Sequence, residues 1–397
     1  MNTASLFKLS QKNKKLIIGL MSGTSLDGVD AVLLEVRGNF TSTKIKQLGF
    51  ITFPFPKGLK ERLLDNSSLN SGNVTDICRL NFLVSHIYVD AVKNLCKKTK
   101  ISIDKIDLIG THGQTIHHLP AKENFYGYKF ASTLQIGDLS VISNLTGIPT
   151  IGDFRSADVA LGGQGAPLVP YFDYIMFHSY KKNRALLNIG GISNFTILNK
   201  NGNAEDVLAF DTGPGNMMID ILTKKYFNYD YDKNGAIAFK GSVNEKLFNL
   251  MIEHDNFIEI KPPKSTGREY YGKEFISAVA KKIKNVKPED WIATASKFTA
   301  YAIYRNYKKF IENETQIEEL FVSGGGARNK FLIKELKNYF GKQVSVANVK
   351  ELGISPDAKE AICFAILANE TLSGNPSNIT RVTGAKRSAI LGKISLP

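Results

Sequence analysis

Cysteine is scarce in this chain, with three among 397 residues. Cys78, Cys96 and Cys363 stand far apart, and the odd total offers neither a metal-like pairing nor an even disulfide framework. A reducing, cytoplasmic setting fits that usage. Long hydrophobic runs are absent too. No apolar stretch reaches the roughly 18 residues that suggest a membrane span. Met1 to Lys15 carries lysines without the apolar segment and cleavage site of a signal peptide, so no leader is expected. Two familiar nucleotide-binding signatures are also missing. There is no G-x-x-x-x-G-K-[ST] loop, and no G-x-G-x-x-G follows a strand in a dinucleotide setting.

Hydrophobic residues make up 43% and charged residues 22%, as in ordinary globular proteins. At this length two domains are expected. The formal net charge is +14, but the lysines are dispersed, at Lys14-Lys15, Lys97-Lys98, Lys181-Lys182 and Lys281 to Lys287. A nucleic-acid surface would concentrate them and interleave aromatics. The excess therefore reads as solvated faces, with some attraction for an anionic substrate. No nucleic-acid or membrane partner is expected.

Three glycine-rich segments stand out. They are Gly19 to Gly28 (GLMSGTSLDG), Asn188 to Asn194 (NIGGISN) and Val322 to Asn329 (VSGGGARN). Each follows a short apolar run that reads as a buried strand: Leu16-Ile17-Ile18, Ala185-Leu186-Leu187 and Leu320-Phe321-Val322. Small residues after a strand let backbone N–H groups approach an anion closely. One such loop is weak evidence; three, all at strand ends, suggest a nucleotide held between two halves of a molecule.

The pattern of each half is strand, glycine loop, further strands. The first half has strands at Val29 to Val36 and Leu48 to Phe53, a helix from about Ile77 to Cys96, and strands at Ile106 to Gly110 and Pro149 to Ile151. Gly162 to Pro167 is read as the crossing between domains. The second half has paired strands at Ala185 to Ile189 and Ser193 to Leu198, a strand at Val207 to Phe210, and helices at Phe275 to Ile283 and Thr294 to Phe310. This suggests a duplicated α/β architecture. The domains are set at 12–157 and 158–373, with 374–397 packing back on the first.

Several residues could carry chemistry. Asp211, in Asp211-Thr212-Gly213-Pro214-Gly215-Asn216, ends a strand beside a glycine-rich helix start, a suitable place next to a phosphate; it could equally cap the helix or its turn. Glu360 follows Ser355-Pro356-Asp357, and its spacing from Asp357 is that of a capping box, a structural role, with Ser355 as the alternative N-cap and Pro356 first in the helix. Thr111 to His118 (THGQTIHH) lacks the spacing and partners of a metal site and reads as a polar loop lining a sugar pocket or as a purely structural one. Lys264 and Arg268, in Lys264 to Glu269 (KSTGRE), could bind a phosphate or carboxylate, or belong to a solvated loop.

Taken together, Gly19 to Asp30, Thr111 to His118, Gly152 to Pro170, Asn188 to Asn194, Phe210 to Asn216, Lys264 to Glu269 and Ser323 to Asn329 closely resemble the anhydro-N-acetylmuramic acid kinase family, of the sugar kinase/Hsp70/actin superfamily. The match runs from about Leu16 to about Leu391. The resemblance implies two actin-like (ribonuclease H-like) domains with a nucleotide cleft between them, and a cytoplasmic homodimer. It also implies ATP- and Mg²⁺-dependent conversion of 1,6-anhydro-N-acetylmuramic acid to N-acetylmuramic acid 6-phosphate, with water consumed, in cell-wall recycling.

Carried over by position, Gly23, Thr24, Ser25, Leu26, Asp27, Gly28, Val29 and Asp30 form the first phosphate loop and Gly190-Gly191 the turn of the second. Gly324, Gly325 and Gly326 belong to the adenosine site, and Asn194, Gly213, Gly215, Asn216 and Asn329 join the nucleotide contacts. Asp211 matches the catalytic aspartate and Glu360 an acidic residue near the reacting sugar, against the capping-box reading. Gln114, Thr115 and Arg155 match the sugar pocket, and Ser156-Ala157 departs from the more basic residues of relatives. The resemblance does not identify the Mg²⁺ ligands. Rival readings are an acetate- or hexose-type kinase, and an ATP-gated chaperone or regulator. The short segments before Leu16 and after Gly374 leave no room for the extra module a chaperone or regulator needs.

Overall fold

The computed structural model describes residues 2–23, 26–68 and 70–397, apart from the Arg268 side chain. The chain divides into two compact units, Met1–Met176 with Asp357–Pro397, and Phe177–Pro356. The divisions thus fall at 176 and 356, where the sequence suggested 157 and 373. Two interactions explain why 158–176 stays with the first unit. The Tyr171 hydroxyl donates to Glu370 Oε2 at 3.2 Å, and Lys359 pairs with buried Asp173 at 2.7 Å. Gly162 to Pro167, read as a crossing, lies inside the first unit. There Gly165 N donates to Asp158 Oδ2 (2.8 Å), while Asn378 Nδ2 and Thr383 Oγ1 donate to Asp158 Oδ1 (2.8 and 2.7 Å). Buried Asp158 therefore fastens that loop to the C-terminal segment, since a buried carboxylate needs several donors.

The first unit is built on a sheet of β1 (Lys14–Met21), β2 (Gly28–Arg37), β3 (Lys44–Pro54), β4 (Leu108–Thr111), β7 (Thr150–Gly152) and β13 (Lys393–Ser395). Their order is β13-β7-β4-β1-β2-β3. β1 to β3 form an antiparallel meander, and β4 runs parallel to β1. Alternate residues Ile18 and Leu20 of β1 and Ala31 and Leu33 of β2 join one core with Val84, Tyr88, Val92 and Leu95 of the helix Val74–Thr99. The other face receives the helix Lys359–Ser373, and it does so through glycine. A Cβ on Gly19 of β1 would collide with the Ala361 carbonyl, and one on Gly110 of β4 with the Phe364 carbonyl.

A separate antiparallel pair, β5 (Gln114–Phe125) with β6 (Tyr128–Ile136), follows β4. The segment from Gln114 read as loop is therefore strand. Pro120 and a mostly exposed outer half, with Lys122 and Glu123, hide the alternation that marks a half-buried strand.

The second unit carries β8 (Arg184–Ile189), β9 (Ile192–Leu198), β10 (Leu208–Pro214), β11 (Glu319–Ser323) and β12 (Ser345–Asn348), ordered β10-β9-β8-β11-β12. β8 to β10 are antiparallel, and β11 is parallel to β8 and β12. The same order, third-second-first-fourth-fifth, runs through both sheets. The duplication inferred from pattern is thus one of topology. One face of this sheet packs Ala185, Leu187, Phe195 and Leu320 against Ile303 and Tyr307 of the helix Pro288–Phe310 and Leu332 and Leu336 of the helix Lys330–Phe340. No helix among the described residues is long and apolar enough to cross a membrane.

The Gly19 contact gives a direct test. Gly19→Ala should force the helix Lys359–Ser373 off β1, with an overpacking cost of about 1–3 kcal/mol. The urea midpoint is expected to fall with an unchanged slope. A midpoint equal to that of the unaltered protein would contradict so close an approach.

Candidate active site

In the first unit the groups of interest cluster beyond the ends of β1 and β4. Ser22 leaves β1 and its Oγ hydrogen-bonds to Gln114 Oε1. Gln114 is buried, and its Nε2 donates to the Thr115 carbonyl at 3.2 Å. Its amide is thus used within the protein, joining the first glycine loop to the Thr111–Gln114 turn. Thr24 and Ser25 lie outside the described residues. Leu26 and Val29 are buried in the core, so only their backbone could meet a ligand. Asp27 pairs with Lys60 at the surface, 3.3 Å apart. Asp30 accepts from Thr52 Oγ1 at 2.6 Å, yet burial pushes its carboxyl above the usual range, helped by Asp357 and Asp27.

Buried His112 has a defined protonation state. Nδ1–H donates to the Gly113 carbonyl (2.9 Å), and Nε2 accepts from Arg155 Nε (2.9 Å). Burial, and then the Arg155 charge, push its pKa down to about 3, so the imidazole is neutral. Arg155 Nη1 also donates to the Gly165 carbonyl at 2.8 Å. Desolvation lowers the Arg155 pKa, opposed by the charge of Glu360. Thr115 Oγ1 accepts from Gln135 Nε2 at 3.4 Å.

Glu360 stands in the first turn of Lys359–Ser373, whose N-cap is Ala358 with no side-chain cap. The helix starts after Ser355 and Pro356, so neither holds the expected cap position, and no capping box forms. Burial first, then the charge of Asp30, raise the Glu360 carboxyl pKa, against Lys359 and Arg155. Its side chain is nevertheless exposed to solvent. A carboxylate that is both reachable and crowded suits a ligand better than a structural contact.

In the second unit three segments interlock. Asn216 N donates to the Gly190 carbonyl (2.8 Å), and Gly215 N and Met217 N to the Gly191 carbonyl (2.9 and 3.1 Å). A Cβ on Gly215 would strike the Gly190 carbonyl, and one on Gly324 would lie 2.5 Å from the Ile189 carbonyl. Gly325 is roomier, its Cβ position 3.4 Å from Asn216 Nδ2. The helix Pro288–Phe310 supports this layer. Asn306 Nδ2 donates to the Thr212 carbonyl (2.8 Å) and Thr299 Oγ1 to the Gly215 carbonyl (3.0 Å). Asn194 is the cross-strand partner of Asp211. Asn329 caps the helix Lys330–Phe340, accepting from Leu332 N at 3.1 Å.

Asp211 sits at a bulge of β10, just before Gly213, whose φ of +119° only glycine adopts easily. Its Oδ2 accepts from Ser265 Oγ (2.8 Å) and Thr266 N (2.9 Å). Its Oδ1 has no partner among the described residues. The backbone N of Asp211 donates to the Lys264 carbonyl at 3.1 Å. Burial raises the Asp211 carboxyl pKa, against the opposing pull of Thr266, Ser265 and Lys264.

Lys264 points inward rather than toward an anion. Its Nζ donates to the Phe257 and Ile258 carbonyls (3.0 and 3.1 Å) and lies over the Phe257 and Phe310 rings (4.7 and 4.9 Å). Burial brings its pKa down to about 8. It anchors the loop that grips Asp211. Sequence reading singled out this segment for Lys264 and Arg268 and missed Ser265 and Thr266, because hydrogen bonds across 54 and 55 positions leave no local pattern.

A family model described as anhydro-N-acetylmuramic acid kinase matches residues 15–397. The anhydro-N-acetylmuramic acid kinase of Caldanaerobacter subterraneus subsp. tengcongensis is 45% identical over 395 residues, covering 98% of this chain and 99% of its own. That of Clostridioides difficile is 46% identical over 378 residues, covering 95% and 97%. Among solved structures, the activator of the 2-hydroxyisocaproyl-CoA dehydratase from Clostridium difficile, with bound ADPNP, aligns with 90% of this chain and 95% of its own at 14% identity and a TM-score of 0.42.

His112 makes the site acid-sensitive. Its pKa is about 3 when folded and near 6.5 when free, so between those values the unfolded chain takes up a proton that the folded chain refuses. Its contribution is full above pH 6.5 and is lost on acidification toward pH 3. Urea unfolding at pH 7.5 and pH 5 should show a smaller loss for His112→Gln than for the unaltered protein. Equal losses would mean that His112 does not carry this dependence.

Proposed function

Since the chain belongs to the anhydro-N-acetylmuramic acid kinase family, we propose that Asp211 drives its coupled reaction, in which water opens 1,6-anhydro-N-acetylmuramic acid while ATP phosphorylates it. The enzyme is a phosphotransferase with an alcohol group as acceptor, acting in cell-wall recycling. The observation that carries the mechanistic reading is the state of Asp211. One carboxylate oxygen is held by two donors, the other has no partner among the described residues, and burial makes the group more basic than an ordinary aspartate.

Asp211 Oδ1 takes a proton from water as that water attacks the anomeric carbon. The bond from that carbon to the bridging oxygen breaks, and the oxygen, now at position 6, attacks the γ-phosphorus and releases ADP. A positioned base contributes about 10²–10⁴-fold; alignment and charge stabilisation must supply the remainder. Gly190-Gly191 and the Asp211–Asn216 turn present backbone to the phosphates, and Gly324 to Gly326 border the nucleoside. Glu360 and Arg155 face the sugar, the first through a carboxyl whose raised pKa suits proton exchange, the second through a guanidinium fixed by neutral His112.

Magnesium is usually held by one or two carboxylates together with substrate phosphates and water. Asp30 fits that use: it is a partly desolvated carboxylate whose charge already burdens Glu360, a conflict a cation would relieve. The ion would neutralise charge on the transferring phosphoryl group. A cytoplasmic homodimer completes the reading, and three cysteines without disulfides suit a reducing compartment.

Incubation with ATP, Mg²⁺ and the anhydro sugar should give N-acetylmuramic acid 6-phosphate by mass analysis. Phosphorylation of a hexose or acetate in its place would favour another kinase specificity. Asp211→Asn keeps the shape but not the basicity, so turnover should fall about 10²-fold or more while ATP still binds. Near-normal turnover would remove Asp211 as the base.

A further inference from the structure

Asp220 belongs to the first turn of the helix Met217–Phe227, four residues beyond Asn216. Both border a cavity of about 470 Å³ whose walls include Tyr231, Lys233, Gly325 and Asn329. That volume lies within the usual range of small-molecule sites, about 300–1,000 Å³. The cavity joins the Asp211–Asn216 turn to the third glycine segment, both lying in the second unit.

Asn216 ties this cavity to the Gly190-Gly191 turn, which the proposed function assigns to the phosphates. Its Nδ2 donates to the Gly190 carbonyl at 3.1 Å, and its backbone N to the same carbonyl at 2.8 Å. Four residues along a helix correspond to a rise of about 6 Å. That step is comparable to the separation between a nucleotide's inner phosphates and its ribose.

The carboxylates around the cavity are not equivalent. Asp232 is spent on its own backbone, accepting from Ile237 N (2.8 Å) and Ala238 N (3.1 Å). Asp230 pairs with Lys224 at 3.0 Å. The Asp220 carboxylate has no hydrogen-bond partner among the described residues; its backbone N donates to the Asn216 carbonyl at 2.8 Å. Burial, and then the charge of Asp232, push it up to about 7. Lys233 and Arg328 complete the charged lining.

An ionised carboxylate only accepts hydrogen bonds. It would repel phosphate and offers nothing to the bare ring nitrogens of a base, whereas two vicinal hydroxyls supply two donors for its two oxygens. We infer that Asp220 holds the 2′- and 3′-hydroxyls of the nucleotide's ribose, and so makes the enzyme select ribonucleotides. This rests on the nucleotide reading of the proposed function and adds a specificity residue to it.

Calorimetric titration with ATP, 2′-deoxy-ATP, 3′-deoxy-ATP and inorganic tripolyphosphate tests the assignment. Hydrogen bonds to a charged group are strong enough that the unaltered protein should prefer ATP over each deoxy analogue by about tenfold or more. In Asp220→Ala that ratio should fall toward one, while tripolyphosphate, which has no ribose, binds as before. Asp220→Asn, which keeps the side-chain volume, should show an intermediate ratio and covers the case in which the alanine variant does not fold. An unchanged ratio in a folded variant, or a change only in ATP against GTP, overturns the ribose assignment and leaves the nucleotide site standing. Failure of the unaltered protein to bind ATP overturns both.

Discussion

The helix Lys359–Ser373 lies against its sheet with two glycines, Gly19 and Gly110, where side chains would ordinarily stand. The contact is between helix backbone and strand backbone, so the helix has little freedom to slide or roll. Its first turn is thereby fixed relative to the ends of β1 and β4, from which Ser22, Thr111 and His112 emerge. Ligands of open α/β sheets tend to bind beyond such strand ends. Beyond those ends the first unit gathers the Ser22–Gln114 link, the His112–Arg155 pair, Asp30 and the crowded carboxyl of Glu360.

The second unit repeats the strand order and spends its loops differently. The turn after β1 corresponds to Gly190-Gly191 after β8, and Thr111-His112-Gly113 after β4 corresponds to Gly324 to Gly326 after β11. In the first unit a neutral imidazole fills the second of these positions and steers a guanidinium. In the second unit glycines leave it open beside a cavity. The same frame therefore presents fixed side chains in one copy and bare backbone in the other. Asp211 stands in the second copy because β10 bulges there and the Ser265–Thr266 backbone and hydroxyl close on one oxygen only. Lys264, caged by aromatic rings and two carbonyls, keeps that grip from shifting.

Most strands and the major helices were legible because each buried face shows its period in the sequence, and the glycine loops were legible because they follow apolar runs. What escaped has physical reasons. The β5–β6 pair escaped because its outer half is exposed and so carries no alternation. The start of the helix bearing Glu360 escaped because Ser355, Pro356 and Asp357 supply a plausible cap that the chain does not use. The boundary at 176 escaped because Tyr171 and Asp173 are held by partners about 190 to 200 positions away. Lys264 suggested an anion site because charge is visible in a sequence, whereas the carbonyls that receive it are not. The clamp on Asp211 is likewise a tertiary product, invisible to any local spacing.

The role proposed for Asp211 commits the reaction to a definite source for each oxygen atom. The anhydro sugar has no free hydroxyl at position 6, because that oxygen closes the bridge. Turnover in water enriched in heavy oxygen, quenched before anomeric exchange, reads the commitment directly. Label on the anomeric carbon, with an unlabelled oxygen between position 6 and phosphorus, is the expected result. Product unlabelled at the anomeric carbon at early times would contradict water activation by Asp211, and label confined to free phosphate would mean that ATP is hydrolysed without opening the sugar.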